Sequence, residues 1–148
     1  MKSLKYQLDR STLETIYISF IRPLIEYGDV IFDNCSNYEK LELDKIQNEA
    51  ARIVTGATKL VSLDNLSQES CWESLETRRH KHKLILFYKM VHGLTPNFLS
   101  DLIPDRVGNV SNYNLRNADN IEFVNTNTNS YYYSFLPSVI RAWNDLST

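Results

Sequence analysis

The chain has 148 residues, 43% of them hydrophobic and 23% charged, which is the balance of one ordinary globular domain with a single core. The formal net charge of −2 gives no whole-chain attraction to a polyanion. No stretch approaches the roughly 18 consecutive apolar residues of a membrane span, and the opening "MKSLKYQLDR" lacks the apolar run of a secretory signal, so a soluble, intracellular protein with no membrane partner is expected.

In chain order, "STLE" opens the first helix, with Ser11 and Glu14 spaced as a capping box. Leu13, Ile16, Tyr17, Phe20, Ile21, Leu24 and Ile25 follow at three- and four-residue spacing, a wide apolar stripe. Pro23 lies inside that stripe and predicts a kink or split near Ile21. A second capping box, Ser36 with Glu39, opens a helix whose Leu43, Ile46, Ala50, Ile53 and Val54 share a face and whose end is set by Gly56. Ser62 predicts the cap of a short helix.

Ser70 and Glu73 form a third box, and the helix it opens runs to about His92. Gly93, with Leu94 packing back and Pro96 following, stops it. Thr95 and Pro96 then start a short helix over "NFLSDLI", ended by Pro104. Asn109 to Asn129 is polar and without a helical stripe. "IEFV" and "SYYYSF" flank "NTNTN" with the spacing of a hairpin. "LPSVIRAWNDL", with Pro137 in its first turn, predicts a last short helix. The expected fold class is mainly α: a compact bundle of three long helices plus short ones, with a small β-hairpin near the C-terminus.

Chemistry-bearing patterns are sparse. Cys35 and Cys71 are too few to cage a metal and form no Cys-x-x-Cys, so both are expected as reduced thiols. His80 and His82 point about 160° apart on a helix and cannot share one ion. There is no P-loop, no Gly-x-Gly-x-x-Gly, no nucleophile elbow and no Asp-Asp pair. No catalytic residue, metal site, cofactor or small-molecule substrate is expected.

The informative feature is electrostatic. Residues 77–100 hold Arg78, Arg79, Lys81, Lys83 and Lys89 and no acid, against a net charge of −2 for the whole chain. On a helical wheel Arg78, Lys81, Ile85, Lys89 and His92 share one side and Arg79, Lys83, Leu86 and Met90 another. Leu84, Phe87 and Val91 lie nearly opposite. The five cations thus spread around the helix. They are candidates for phosphate contact, for the solvated helix end paired with Glu69, Glu73 and Glu76, or for contact with a protein partner.

Four segments carry a resemblance: "YISFIRPLIEYGDVIFDN", "LDKIQNEAARIVTGA", "LSQESCWESLETRRHKHKLILFYKMVHGLTPNFLSDLIP" and "SFLPSVIRAWNDL". In this order they resemble the C-terminal part of LINE-type (non-LTR) retrotransposon polyproteins, with the jockey-like reverse transcriptases as the nearest group. The set includes Pro23, Tyr27-Gly28, Gln47, Arg52, Trp72, Leu75, Arg78-Arg79, Tyr88-Lys89 and Trp143-Asn144. The resemblance spans residues 13–146 and implies the helical, thumb-like region that follows the polymerase palm. It implies that the catalytic aspartates of the RNA-directed DNA polymerase lie upstream and that this region is not itself an enzyme. The implied partners are the upstream palm domain and the backbone of RNA or an RNA–DNA duplex. The expected division is a thumb-like bundle over 1–104 and a loop-rich tail over 105–148, packed on the same domain. The alternative is a stand-alone helical protein-interaction module reused from a retroelement.

Overall fold

A computed structural model describes residues 2–110, 116 and 118–146. It is mainly helical, and the described residues contain no sheet strand. The chain groups into two compact units, Met1–Asp29 with Cys35–Arg79 and Val30–Asn34 with His80–Thr148.

In the first unit, α1 (Arg10–Ile16) runs through a π-turn (Tyr17–Ile21) into α2 (Arg22–Glu26). The cap is Asp9, two residues earlier than the expected Ser11. Its carboxylate accepts from the Thr12 N–H and from the Ser11 and Thr12 hydroxyls. Pro23 explains the π-turn. It has no N–H to continue the i→i−4 ladder, and the ladder shifts so that the Arg22 N–H bonds the Tyr17 carbonyl. The extra residue shifts the register, so that Ile25 and not Leu24 turns to the core. Leu13, Tyr17 and Ile25 are buried, while Phe20 and Leu24 are 70% and 78% exposed. The break falls near Ile21, where Pro23 predicts it, but the stripe takes in Phe20 and Leu24 because its spacing carries the same 3.6 period across that break.

Short α3 (Asp29–Phe32) precedes α4 (Asn37–Thr55). The Ser36–Glu39 capping box forms in both directions, and Gly56 closes the helix at φ 77°. The buried face of α4 is Gln47, Ala50, Ala51, Ile53 and Val54, and Ile46 stays exposed. α5 (Leu63–Ser70) starts at Ser62 as predicted, and its end is Cys71, held at φ 56°.

Trp72 joins the two apolar clusters of this unit. One is Tyr17, Ile25, Ala50 and Leu75; the other is Leu13, Ile53 and Val54. Its ring stacks on Tyr17 with centroids 4.2 Å apart and planes 12° apart. Its indole N–H donates to Glu14 at 2.8 Å. Glu14 therefore serves the tertiary structure and not the predicted capping box.

α6 (Leu75–Val91) is capped by Ser74, whose hydroxyl accepts from the Thr77 N–H at 3.1 Å. The predicted box at Ser70 does not form, because Ser70 ends α5 and is buried. Gly93 at φ 64° stops α6, with the Leu94 N–H reaching back to the Lys89 carbonyl at 2.8 Å. Leu94 itself is exposed and does not pack back.

The second unit is centred on Phe87, Met90, Ile121, Val139 and Ile140. α7 (Asn97–Ser100) and α8 (Val107–Val110) are single turns. α10 (Phe135–Leu146) is strongly amphipathic and buries Val139 and Ile140, with Trp143 set edge-on to Phe87 at 5.5 Å.

The expected hairpin between "IEFV" and "SYYYSF" does not form. Ile121 makes one isolated antiparallel bridge to Arg106 instead, and Val107 and Gly108 donate to the Asn120 and Ala118 carbonyls. Gly108 is required there, since a Cβ would stand 2.9 Å from that of Ala118. The second half of the supposed hairpin becomes α9 (Asn129–Tyr132), because the Thr128 hydroxyl accepts from the Tyr131 N–H and starts a helical turn. The part of the polar stretch at 111–115 and 117 lies outside the described residues.

Candidate nucleic-acid interface

The five basic residues of α6 have three different fates. Arg78 is committed to the first unit. Its guanidinium donates twice to Glu26, through Nη2 at 2.9 Å and through Nε, with Glu73 3.9 Å away. The two side chains are 24% and 14% exposed, and the Glu26 hydrogen bond raises the Arg78 pKa further above its ordinary value. Arg79 is buried.

Lys83 is committed to the second unit. Its ammonium donates to Asp33 at 2.5 Å, and both side chains are mostly covered. Lys81 and Lys89 are exposed. Of the predicted set, then, the structure keeps Lys81 and Lys89 at the surface and uses Arg78 and Lys83 as internal ion-pair partners. The acid that takes Arg78 is chiefly Glu26, 52 residues away in sequence, which local spacing could not show.

Lys81 and Lys89 stand on one exposed face of α6 with Ile85, Tyr88 and His92. Tyr88 and His92 stack with centroids 4.0 Å apart, and the His92 ring nitrogen lies 2.8 Å from the Tyr88 carbonyl. This face can offer two ammonium groups to phosphate and one aromatic edge to a base or sugar.

The residues that carry the sequence resemblance serve the fold at several points. Gln47 is buried, accepts from the Tyr17 hydroxyl at 3.0 Å, and donates to the Glu73 carbonyl at 3.0 Å. Burial pushes the Tyr17 phenol above its ordinary pKa. The Arg22 guanidinium lies 5.1 Å from the Tyr17 ring centre and 5.6 Å from that of Trp72. Asn144 is buried against Ile121.

Among the described residues no group of three or more His, Cys, Asp or Glu side chains is placed to hold a metal ion. No helix there is long and apolar enough to cross a membrane. No family model, no curated protein and no solved structure matches the chain.

Proposed function

We propose that the chain is the non-catalytic, thumb-like segment of a non-LTR retrotransposon reverse transcriptase, making weak contact with a nucleic-acid backbone through Lys81 and Lys89. The observation that carries the reading is the agreement between resemblance and packing. Gln47, Trp72, Leu75, Arg78 and Asn144 belong to the ordered motif set. They are also the residues that bridge helices, join the clusters or close buried hydrogen bonds. A helical plan held by the motif residues supports an intact module of that family.

The same geometry limits the contact. Two exposed lysines neutralise about two phosphates, so log affinity falls with log salt at a slope near −2, far shallower than for a dedicated binder. Fluorescence anisotropy with an RNA–DNA duplex, titrated from low to physiological salt, measures this slope. Lys81→Ala with Lys89→Ala removes the binding, while Arg78→Ala leaves the slope unchanged. No binding at low salt would sink the nucleic-acid part of the reading. The polymerase origin is tested on the genomic sequence upstream of Met1. A continuous reading frame reaching a palm with paired aspartates supports it, and an unrelated upstream frame overturns it.

A further inference from the structure

The first unit has an apolar groove of about 420 Å³ between the π-turn and α4, lined by Ile21, Glu42, Lys45, Ile46, Glu49, Ala50 and Ile53. Its floor is aliphatic, and Phe20 and Leu24 stand exposed on the helix that supplies Ile21. Glu42, Ile46, Glu49 and Ile53 recur at four, three and four residues, so they form one stripe of α4. Within that stripe two carboxylates flank an exposed isoleucine. The rim carries one cation, Lys45, which is held by Glu42 at 2.6 Å.

The exposed face of α6 has the opposite signature. Lys81 and Lys89 flank Ile85, and Tyr88 lies beside it, with Ile85 and Tyr88 52% and 48% exposed. At about 1.5 Å per residue the two lysines are about 12 Å apart along their helix, and Glu42 and Glu49 about 10 Å along theirs. One surface thus presents cation–isoleucine–cation, and the other two acids about an isoleucine, partly offset by Lys45, beside an aliphatic floor. Charge complementarity and similar spacing make the α6 face of this chain a fitting occupant.

We propose that the groove binds the α6 face of a second copy of the chain. Ile85 and Tyr88 seat on Ile21, Ile46, Ala50 and Ile53, and Lys81 and Lys89 face Glu49 and Glu42. The two surfaces differ, so the contact is head-to-tail. A contact of this few side chains is weak, and a dissociation constant on the order of 10⁻⁴ M is expected. The ion pairs sit at a solvent-exposed rim, so added salt weakens the association. The inference does not depend on the polymerase reading.

A charge swap tests it. Glu42→Lys with Glu49→Lys reverses the groove, and Lys81→Glu with Lys89→Glu reverses the helix face. Sedimentation velocity is run from about 10 µM to about 1 mM, the span that brackets such an affinity. Wild-type chain associates with rising concentration. Each double variant alone stays monomeric, and an equimolar mixture of the two associates again. Ile85→Ser, at an exposed position, lowers association about tenfold without any charge change. Far-UV circular dichroism checks that every variant is folded. A wild-type chain that is monomeric throughout, a groove variant that associates as the wild type does, or a mixture that stays monomeric overturns the proposal. The groove variant does not lower retention of an RNA–DNA duplex, so loss of association and loss of nucleic-acid binding are read separately.

Discussion

Asn144 closes both backbone hydrogen bonds of Ile121. Its Nδ2 donates to the Ile121 carbonyl at 2.9 Å, and its Oδ1 accepts from the Ile121 N–H at 3.0 Å. Both residues are 4% exposed. The side-chain amide stands where a neighbouring strand would be, which lets an extended segment lie in the core without a sheet.

Asn144→Ala leaves a buried donor and a buried acceptor unpaired. Urea denaturation is expected to show a loss of about 2–4 kcal/mol. Asn144→Asp keeps the acceptor but sets a carboxylate against the Ile121 carbonyl. That carboxyl is stabler protonated, so the variant is weak at pH 7 and regains stability as the pH falls.

Arg78 and Glu26 form a largely covered ion pair in the first unit. A double-mutant cycle with Arg78→Ala and Glu26→Gln is expected to give a coupling of about 1–2 kcal/mol, read by thermal or urea melts. Coupling near zero would return Arg78 to the pool of surface cations.

The hydroxyls of Ser11 and Thr12 hold the Asp9 carboxyl well below the usual carboxylate range. A carboxyl depressed in the folded state contributes stability above its unfolded value of about 3.9, and that stability drains as the pH falls toward the depressed value. Ser36 lowers Glu39 in the same direction. Asp9→Asn retains capping but removes the titration, so its melting temperature should fall less between about pH 5 and pH 2 than that of the wild type. An unchanged acid profile would remove Asp9 from the list of contributors.

Cys71 ends α5 at φ 56°, where a Cβ is strained. Cys71→Gly relieves that strain, partly offset by greater freedom of the unfolded chain, and is expected to be neutral or to stabilise by up to about 1 kcal/mol in a thermal melt. A loss of 1 kcal/mol or more would mean that the thiol's contact with the Gln68 carbonyl matters more than the backbone.

Local signals placed most of the helices. Ser36 with Glu39, Ser62, Gly56 and Gly93 act within a few residues of themselves, so their roles were legible from spacing. Where a local signal had competitors, it misled. Ser11, Ser70 and Glu14 had the right spacing for caps, but Asp9, Ser74 and Trp72 offered better partners. The hairpin failed for a similar reason. Alternation and a polar loop describe a strand pair equally well as an extended segment followed by one capped turn, and Thr128 decided for the turn.

The candidate site was legible in composition but not in geometry. Spacing and composition alone make the chain mainly helical and concentrate cations in its third long helix. Those properties rest on short-range propensity, capping and residue count. Which cations stay at the surface depends on packing between distant segments. Arg78 meets Glu26 across 52 residues and Lys83 meets Asp33 across 50, and such pairings depend on how helices pack. An ion pair is a matter of a few ångströms in space, and separation along the chain does not fix that distance.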